Sequence, residues 1–319
     1  MTPIELSNKV YSNEIAARKH LEAIRWPSGK PTCPLCGVDG ESRPLKGKSM
    51  GAGWFYCEAC QDKFTVRTGT VYERSHIPLH KWLLAFRLLA SSKKGMSAHQ
   101  LARTLDISYK SAWFLGHRVR EAMRDTDPSP LGGKDKVVEA DETFLGQQEG
   151  KYTFISGKGW VPMKGTHHKM KVLTLVERGG RSRSVKLDKL SPSLVREVLV
   201  RNADRKSRLH TDEAHHYTKV GREFASHETV THWKKEYARG DVTVNTAESF
   251  FALFKRGMKG VYQHCSEAHL QKYLYEFDFR YSNRSALGVE DAERTTRAIK
   301  SAEGKRLTYR PPVGKAAVA

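Results

Sequence analysis

Two Cys-x-x-Cys pairs constrain the folding of this chain more than any other feature of its sequence. Cys33 and Cys36 form the first pair, Cys57 and Cys60 form the second, and twenty residues lie between them, a spacing typical of a zinc ribbon. Four thiolates complete a tetrahedron around one structural Zn²⁺ and leave no position open for catalysis. The alternatives are four unligated thiols or two disulfides.

The charge balance points to a polyanionic partner. Lys and Arg number 55 against 35 Asp and Glu in 319 residues, so the formal net charge is +20. This excess predicts attraction to nucleic acid, and a basic protein that binds none is the alternative. The longest apolar run, residues 82–90, is interrupted by Arg87 and is too short to span a membrane. No signal pattern opens the sequence, so we expect a cytoplasmic protein with reduced thiols and no membrane partner.

Residues 97–120 have the rhythm of a helix-turn-helix. Leu101 and Leu105 fall on one apolar face, and Ser108 can cap a second helix. Asp106 stands where such turns often carry Gly, and an ordinary helical hairpin with a solvated basic face is the alternative. In the DNA-binding interpretation, the second helix exposes four basic side chains to a major groove: Lys110, His117, Arg118 and Arg120.

The order of elements along the chain predicts its domains. A strand, a hairpin, a helix, a strand and a helix follow one another after Lys136, which indicates an α/β fold built on a mixed sheet. We expect a helical lead-in (1–30), a zinc ribbon (31–72), a helical DNA-binding domain (76–124), a linker (125–136), a catalytic domain (137–284) and a basic flexible tail (285–319). Residues 146–169 suit an insertion or a long loop.

Three carboxylates are the candidates for catalysis. Asp141 lies in one strand-like run, Asp212 ends a second, and Glu248 lies in a helix-like run. Two Asp on strands and a Glu on a later helix can converge on two divalent metal ions roughly 3.5–4 Å apart, as in enzymes that cut and rejoin phosphodiesters. Lys255 follows Glu248 by seven residues, almost two helical turns, and could contact a DNA phosphate from the same face.

These carboxylates also have structural interpretations. Asp141 and Glu142 point to opposite faces of a strand, so only one can face a site, and Glu139 shares the parity of Asp141. Asn245 and Glu248 have the Asn-x-x-Glu spacing of a capping box at a helix start. The ribbon and the positive charge of the chain favour the catalytic interpretation of the set.

Several stretches in a fixed order carry a family resemblance. They include Glu139-Ala-Asp-Glu-Thr-Phe-Leu-Gly146, Thr211-Asp-Glu213, Asn245-Thr-Ala-Glu-Ser-Phe-Phe251 and Lys255-Arg-Gly-Met-Lys-Gly-Val-Tyr262. From about residue 26 to residue 284, the chain resembles bacterial insertion-sequence transposases of the ISXO-like, Merlin-related family. The resemblance implies a ribonuclease-H-like domain in which a mixed sheet carries Asp141 and Asp212 within a DDE-type metal site. Some members of the family use Asn as the third ligand, so Asn245 is the alternative to Glu248, which we favour because a carboxylate binds Mg²⁺ better than an amide.

The same resemblance implies a function. We expect a DNA transposase that binds the terminal inverted repeats of its own element through the ribbon and the helical domain, with Lys255 and Arg256 among the DNA contacts. Double-stranded DNA, as element ends and as target, is the expected partner, two Mg²⁺ or Mn²⁺ ions the expected cofactors, and at least a homodimer the expected assembly on DNA. The alternatives are a regulator without chemistry, derived from a transposase, and a nuclease without strand transfer.

Overall fold

The computed structural model describes residues 7–47, 50–146, 152–162, 165–166 and 168–308, with the backbone alone at Pro162. Over these residues the helices are α1 (Glu14–Arg25), α2 (Leu79–Ser91), α3 (Ala98–Leu105), α4 (Tyr109–Ala122), α5 (Pro192–Asn202), α6 (His215–Gly221), α7 (Asn245–Gly257), α8 (Leu270–Ser282) and α9 (Asp291–Lys300). The strands are β1 (Ser42–Pro44), β2 (Trp54–Cys57), β3 (Lys63–Thr65), β4 (Val137–Leu145), β5 (Tyr152–Ile155), β6 (Gly159–Pro162), β7 (Met170–Glu177), β8 (Ser182–Leu187), β9 (Arg208–Asp212), β10 (Ser226–Val230), β11 (Ala238–Arg239) and β12 (Val242–Thr243). In this part of the chain no helix has the length and apolar character that crossing a membrane requires.

The chain folds as two compact units. Over the residues that the structure describes, the first takes those of 7–92, 96–124 and 290–308, and the second takes those of 93–95 and 125–289. The helical lead-in, the ribbon and the helical domain, which the sequence analysis kept apart, therefore belong to one unit. The reason is shared packing: the ring of Trp26, which follows α1, lies 5.4 Å from that of Phe55 and 6.1 Å from that of Phe64 in the ribbon sheet.

A five-stranded sheet with the order β10-β9-β4-β7-β8 forms the centre of the second unit. Strands β4, β7 and β8 pair antiparallel, whereas β9 pairs parallel with both β4 and β10. This mixed topology is the ribonuclease-H-like arrangement, so the predicted fold class is confirmed. Every residue of β7 is buried, because the strand lies between β4 and β8 and helices cover both faces of the sheet.

Two apolar clusters fix the helices on the sheet. On one face, α5 and α6 pack with residues of even parity on β4, such as Val138 and Ala140. On the other face, α7 and α8 pack through Phe250, Phe254 and Phe277. The parity of β4 thus decides which of its acids faces which pair of helices, and Glu139 and Asp141 face α7.

The predicted flexible tail was wrong in its described part, and the predicted linker is bound to the second unit. Residues 125–136 lie on the second unit, where Leu131 is buried and Arg183 pairs with Asp125 at 2.8 Å. Residues 291–300 form α9, whose Ala298 and Ile299 are buried in the first unit. Sequence reasoning took basic residues for solvated ones, but Lys305 is buried and donates to carbonyl groups at the end of α4. Residues 309–319 lie outside the described part of the chain.

The segment 146–169, expected as an insertion or long loop, contains a β5–β6 hairpin. The ring of Phe154 packs against the edge of Trp160 at 5.7 Å, and both side chains are exposed. Its remaining residues between 147 and 167 are described only in part.

Candidate active site

Parallel pairing of β4 and β9 brings the first two carboxylates together. Glu139 is the register partner of His210, and Asp141 and Asp212 each lie two residues further along their strands. Neighbouring strands in parallel register present such residues on the same face. Asp141 and Asp212 therefore stand side by side at the end of the pairing, toward α7.

Helix α7 brings Glu248 to this place. The helix starts at Asn245 with Val244 as its N-cap, and no side chain caps it from that position. The proposed capping box of Asn245 and Glu248 is therefore not formed. Glu248 lies in the first turn with its side chain 45% exposed. The capping interpretation, which competed with the catalytic one, no longer accounts for this acid.

Glu139 caps the helix instead. Its carboxylate is fully buried and accepts hydrogen bonds from Thr246 N at 2.8 Å, Thr246 Oγ1 at 2.8 Å and Ala247 N at 3.1 Å. Arg178 donates to the same carboxylate from Nη2 at 2.7 Å and from Nε at 3.1 Å. The first backbone N–H groups of a helix have no acceptor within the helix, so an acceptor there is stabilising. The helix dipole also favours a negative charge at this end. Glu139 therefore joins β4 to α7 and sets where Glu248 lies relative to Asp141.

The pKa of Asp141 reflects both its burial and the carboxylates around it. Burial raises the pKa of Asp141 to about 7, and the negative charges of Glu142, Asp212 and Glu248 contribute to that rise. Burial also raises the pKa of Asp212, against a hydrogen bond from Ala214 N at 3.0 Å. Asp141 is thus coupled electrostatically to both other members of the predicted set.

Glu142 belongs to the opposite face of β4. Its carboxylate accepts a hydrogen bond from Tyr217 Oη at 2.6 Å and lies 3.2 Å from His216 Nε2, both on α6. Burial by itself would raise the pKa of Glu142, but these hydrogen bonds outweigh burial and lower it. Structural contacts therefore account for Glu142, and Asp141 is the acid of this pair that faces α7.

The sequence analysis missed two residues beside the site. His232 Nε2 lies 3.6 Å from Glu248 Oε1, and the backbone amide of His232 donates to Glu213 at 2.9 Å. Glu213 directly follows Asp212, so this contact ties the end of β9 to the chain after β10. The position of Glu213 next to Asp212 was visible in the sequence, but only the fold brings His232 to them.

The remaining predicted residues of α7 are on its surface. Asn245, Lys255 and Arg256 are exposed, and Lys255 lies two turns beyond Glu248 on the same helix. Their side chains are therefore accessible to DNA, as are those of Ala252 and Lys259 along the same stripe.

The donor set fits divalent cations. Three carboxylates offer the hard oxygen ligands that Mg²⁺ and Mn²⁺ take, and each neighbour that raises the pKa of Asp141 is another carboxylate. A bound cation would remove this repulsion. Among the described residues, however, only the four ribbon cysteines have ligand atoms that all lie within 4.8 Å of one another.

The four cysteines form a closed metal-binding group in the first unit. The sulfur atoms of Cys33 and Cys60 are 3.7 Å apart, as are those of Cys36 and Cys57. A tetrahedron with Zn–S bonds of 2.3 Å has edges of about 3.8 Å. The geometry therefore suits one structural Zn²⁺ and leaves no position for a substrate.

The helices α3 and α4 form as predicted, but three of the four side chains predicted to face DNA are buried. Ser108 caps α4, and Leu101 and Leu105 are buried as predicted. His117, Arg118 and Arg120, however, are only 2%, 6% and 4% exposed. They are buried because α4 packs against α2 as well as α3. Of the four predicted side chains only that of Lys110 is exposed.

Arg118 illustrates how a basic residue becomes structural. Its guanidinium donates to the carbonyl oxygen of Glu73 at 2.6 Å and lies over the ring of Trp82 at 5.2 Å. Burial lowers the pKa of Arg118 to about 10. The predicted exposure of this residue to a major groove was therefore wrong.

Fold and site together define a ribonuclease-H-like domain with clustered acids, joined in one chain to a four-cysteine metal-binding ribbon. Residues 130–282 match the ISXO2-like transposase domain, and residues 12–63 match the transposase zinc-ribbon domain. These matches cover more than half of the sequence, and the chain belongs to the ISXO2-like transposase family.

A relative and two solved structures complete the comparison. The chain is 29% identical over 284 residues, 85% of its length and 92% of the relative's, to an uncharacterized protein in transposable element ISH50 of Halobacterium salinarum. Two Mos1 transposase structures, a pre-cleavage transpososome and a paired-end complex with the left transposon end, are 12% identical and cover 68% of this chain and 74% of theirs. Their TM-scores are 0.28 and 0.26.

Proposed function

We propose that this protein is a DNA transposase that cuts DNA at the ends of its own element and joins the freed 3′-hydroxyl to target DNA. The observation that supports the proposal is the placement of Asp141 within a transposase-family domain, where burial raises its pKa and the negative charges of Glu142, Asp212 and Glu248 add to that rise. Partly buried acids that repel one another are unfavourable for stability unless a proton or a cation neutralises them.

Each part of the site has its own task in this proposal. Asp141, Asp212 and Glu248 would hold two Mg²⁺ or Mn²⁺ ions, which would supply an activated water and charge stabilisation at the leaving oxygen. Glu139 fixes the start of α7 and so positions Glu248. The exposed Lys255 would contact a phosphate of the bound strand. No covalent bond between protein and DNA is needed, and the repeated ends of an element call for at least a dimer on DNA.

Cleavage of labelled DNA that carries the element's own ends tests the assignment. We expect strand cutting with Mg²⁺ and none with EDTA, and we expect Asp141→Asn and Glu248→Gln to lower the rate by at least about 100-fold while end binding persists. Glu197→Gln, an exposed acid on α5 across the sheet, is the matched control and should cut normally. Joined products distinguish a transposase from a nuclease.

The same assay decides the third ligand. Loss of cutting in Asn245→Ala with normal cutting in Glu248→Gln would move that role to Asn245. Normal cutting by Asp141→Asn would refute the site. Tight end binding by the unmodified protein without any cutting would show a regulator instead.

A further inference from the structure

The segment between β10 and β12 carries two large aromatic side chains in solvent. Trp233 is 74% exposed and Tyr237 is 58% exposed. Isolated exposed aromatic residues are common, but these lie four positions apart among three exposed cations. The cations are Lys234, Lys235 and Arg239. We refer to residues 231–239 as the Trp233 surface.

Backbone contacts hold the Trp233 surface in a defined shape. Thr231 N donates to the carboxylate of Glu236 at 3.1 Å, and Glu236 N donates to Thr231 O at 3.2 Å. Lys235 turns the chain in the left-handed region at φ +59°. Because hydrogen bonds join both ends of the turn, its backbone has a fixed conformation. This conformation keeps the two aromatic rings in solvent.

The Trp233 surface adjoins the carboxylates. His232, the residue before Trp233, lies 3.6 Å from Glu248, and its ring packs against that of Tyr237 at 5.5 Å between centroids. A strand bound at Asp141, Asp212 and Glu248 would therefore pass next to exposed ring faces.

We propose that the Trp233 surface stacks an unpaired DNA base beside the site of strand cutting. This inference rests on the proposed function, since it names how that site holds its substrate. Aromatic faces suit bases that have left the duplex, because bases within a duplex already stack on each other. Lys234 Nζ lies over one face of the Trp233 ring, 5.0 Å from its centroid, so a base would stack on the opposite face with a positive charge for the adjoining phosphate close by. The combination of rings and cations matches single-stranded nucleic acid in particular.

Binding by the full chain tests the proposal without any need for catalysis. Fluorescence anisotropy would compare a labelled duplex that ends in a short single-stranded 3′ overhang with the same duplex made blunt, without added Mg²⁺. We expect Trp233→Ala to lower affinity for the overhang DNA by about 5- to 100-fold and to change blunt-duplex affinity by less than about twofold. Trp233→Tyr should restore most of the loss, because it restores a ring.

Trp160→Ala is the matched control, since Trp160 is 72% exposed on the β5–β6 hairpin. It should leave both affinities unchanged. Equal losses for overhang and blunt DNA in Trp233→Ala, or no loss for either, would overturn the proposal. If the surface proposal is overturned in either way but the protein still cuts element ends normally, the proposed function stands. If Trp233→Ala loses affinity only for the overhang DNA and the unmodified protein never cuts, the proposed function is refuted and the proposal for the Trp233 surface stands.

Discussion

At the scale of single residues, burial decides the role of a charged side chain more than its chemical type does. Arg118 and Lys110 lie on the same helix and carry the same charge, yet Arg118 is bonded inside the first unit and Lys110 faces solvent. Glu139 and Asp141 lie on the same face of β4, yet Glu139 is saturated by hydrogen bonds from α7. Asp141 instead has other carboxylates as its charged neighbours, which suits it to a cation.

Asp278 on α8 predicts a pH dependence of stability. Burial raises the pKa of Asp278 to about 6, against hydrogen bonds from Ser182 and Ser184. A raised pKa means that the folded protein binds the proton of Asp278 more tightly than the unfolded chain does. Protonation of Asp278 therefore stabilises the fold fully below the ordinary pKa of about 4, and this stabilisation is lost as the pH rises through about 6. Between pH 5 and pH 7.5 we expect the titration of this group to lower the free energy of unfolding by about 1.4 kcal/mol.

Urea denaturation at several pH values checks this prediction. Asp278→Asn should flatten the decline in unfolding free energy over this range, because an amide does not titrate. Asp188→Asn, at a position that is 86% exposed, should leave the slope unchanged. An unaltered slope in Asp278→Asn would contradict the assignment.

At the scale of elements, the joint between β4 and α7 is the feature that assembles the site. Arg178, just after β7, pairs with Glu139 and also donates to the carbonyl oxygens of Asp241, just before β12, and Thr243, its last residue. The buried carboxylate of Glu139 on β4 thus contacts both Arg178 after β7 and the start of α7. The position of Glu248 depends on this joint and not on local helix capping.

Glu139→Gln tests the joint. The amide keeps the size of the side chain but loses the charge that Arg178 pairs with and places a donor among donors, so we expect the free energy of unfolding to fall by at least about 2 kcal/mol. Hydrogen exchange should accelerate at the amides of Thr246 and Ala247, because both donate hydrogen bonds to the Glu139 carboxylate. Glu228→Gln, which weakens a half-exposed pair with Arg208, should cost less than about 1 kcal/mol. Wild-type exchange in Glu139→Gln would show that the cap is dispensable.

At the scale of the whole molecule, the first unit joins distant parts of the sequence around the ribbon. Arg25, at the end of α1, donates to the carbonyl oxygens of Val66 and Thr68 just after β3. It also pairs with Glu303 at 3.0 Å, beyond α9. The ribbon therefore supports the docking of the C-terminal helix as well as its own three strands.

Removal of zinc should reveal this dependence. We expect Cys57→Ser to lose the single bound Zn²⁺, measured as metal content per chain, and to lose hydrogen-exchange protection in α9 as well as in β2 and β3. Cys265→Ser lies outside the cluster and should retain one Zn²⁺ with normal protection. Retained metal in Cys57→Ser, or unchanged protection of α9, would contradict the prediction.

Local spacing and periodicity determined much of this protein from sequence. The cysteine pairs specified the ribbon, because ligand spacing in a short turn is a local property, and the order of strands and helices specified the mixed sheet. The stretches around Asp141, Asp212 and Glu248 carried the family resemblance that the domain match confirmed.

Tertiary structure alone decided which charges are structural. Burial of His117, Arg118 and Arg120, the capping of α7 by Glu139 and the docking of α9 all depend on contacts between residues far apart in sequence. A helical pattern shows which face is apolar, but it does not show how many neighbours the helix has. The approach of His232 to Glu248 has the same origin, since only the parallel pairing of β9 and β10 brings the chain after β10 to the carboxylates.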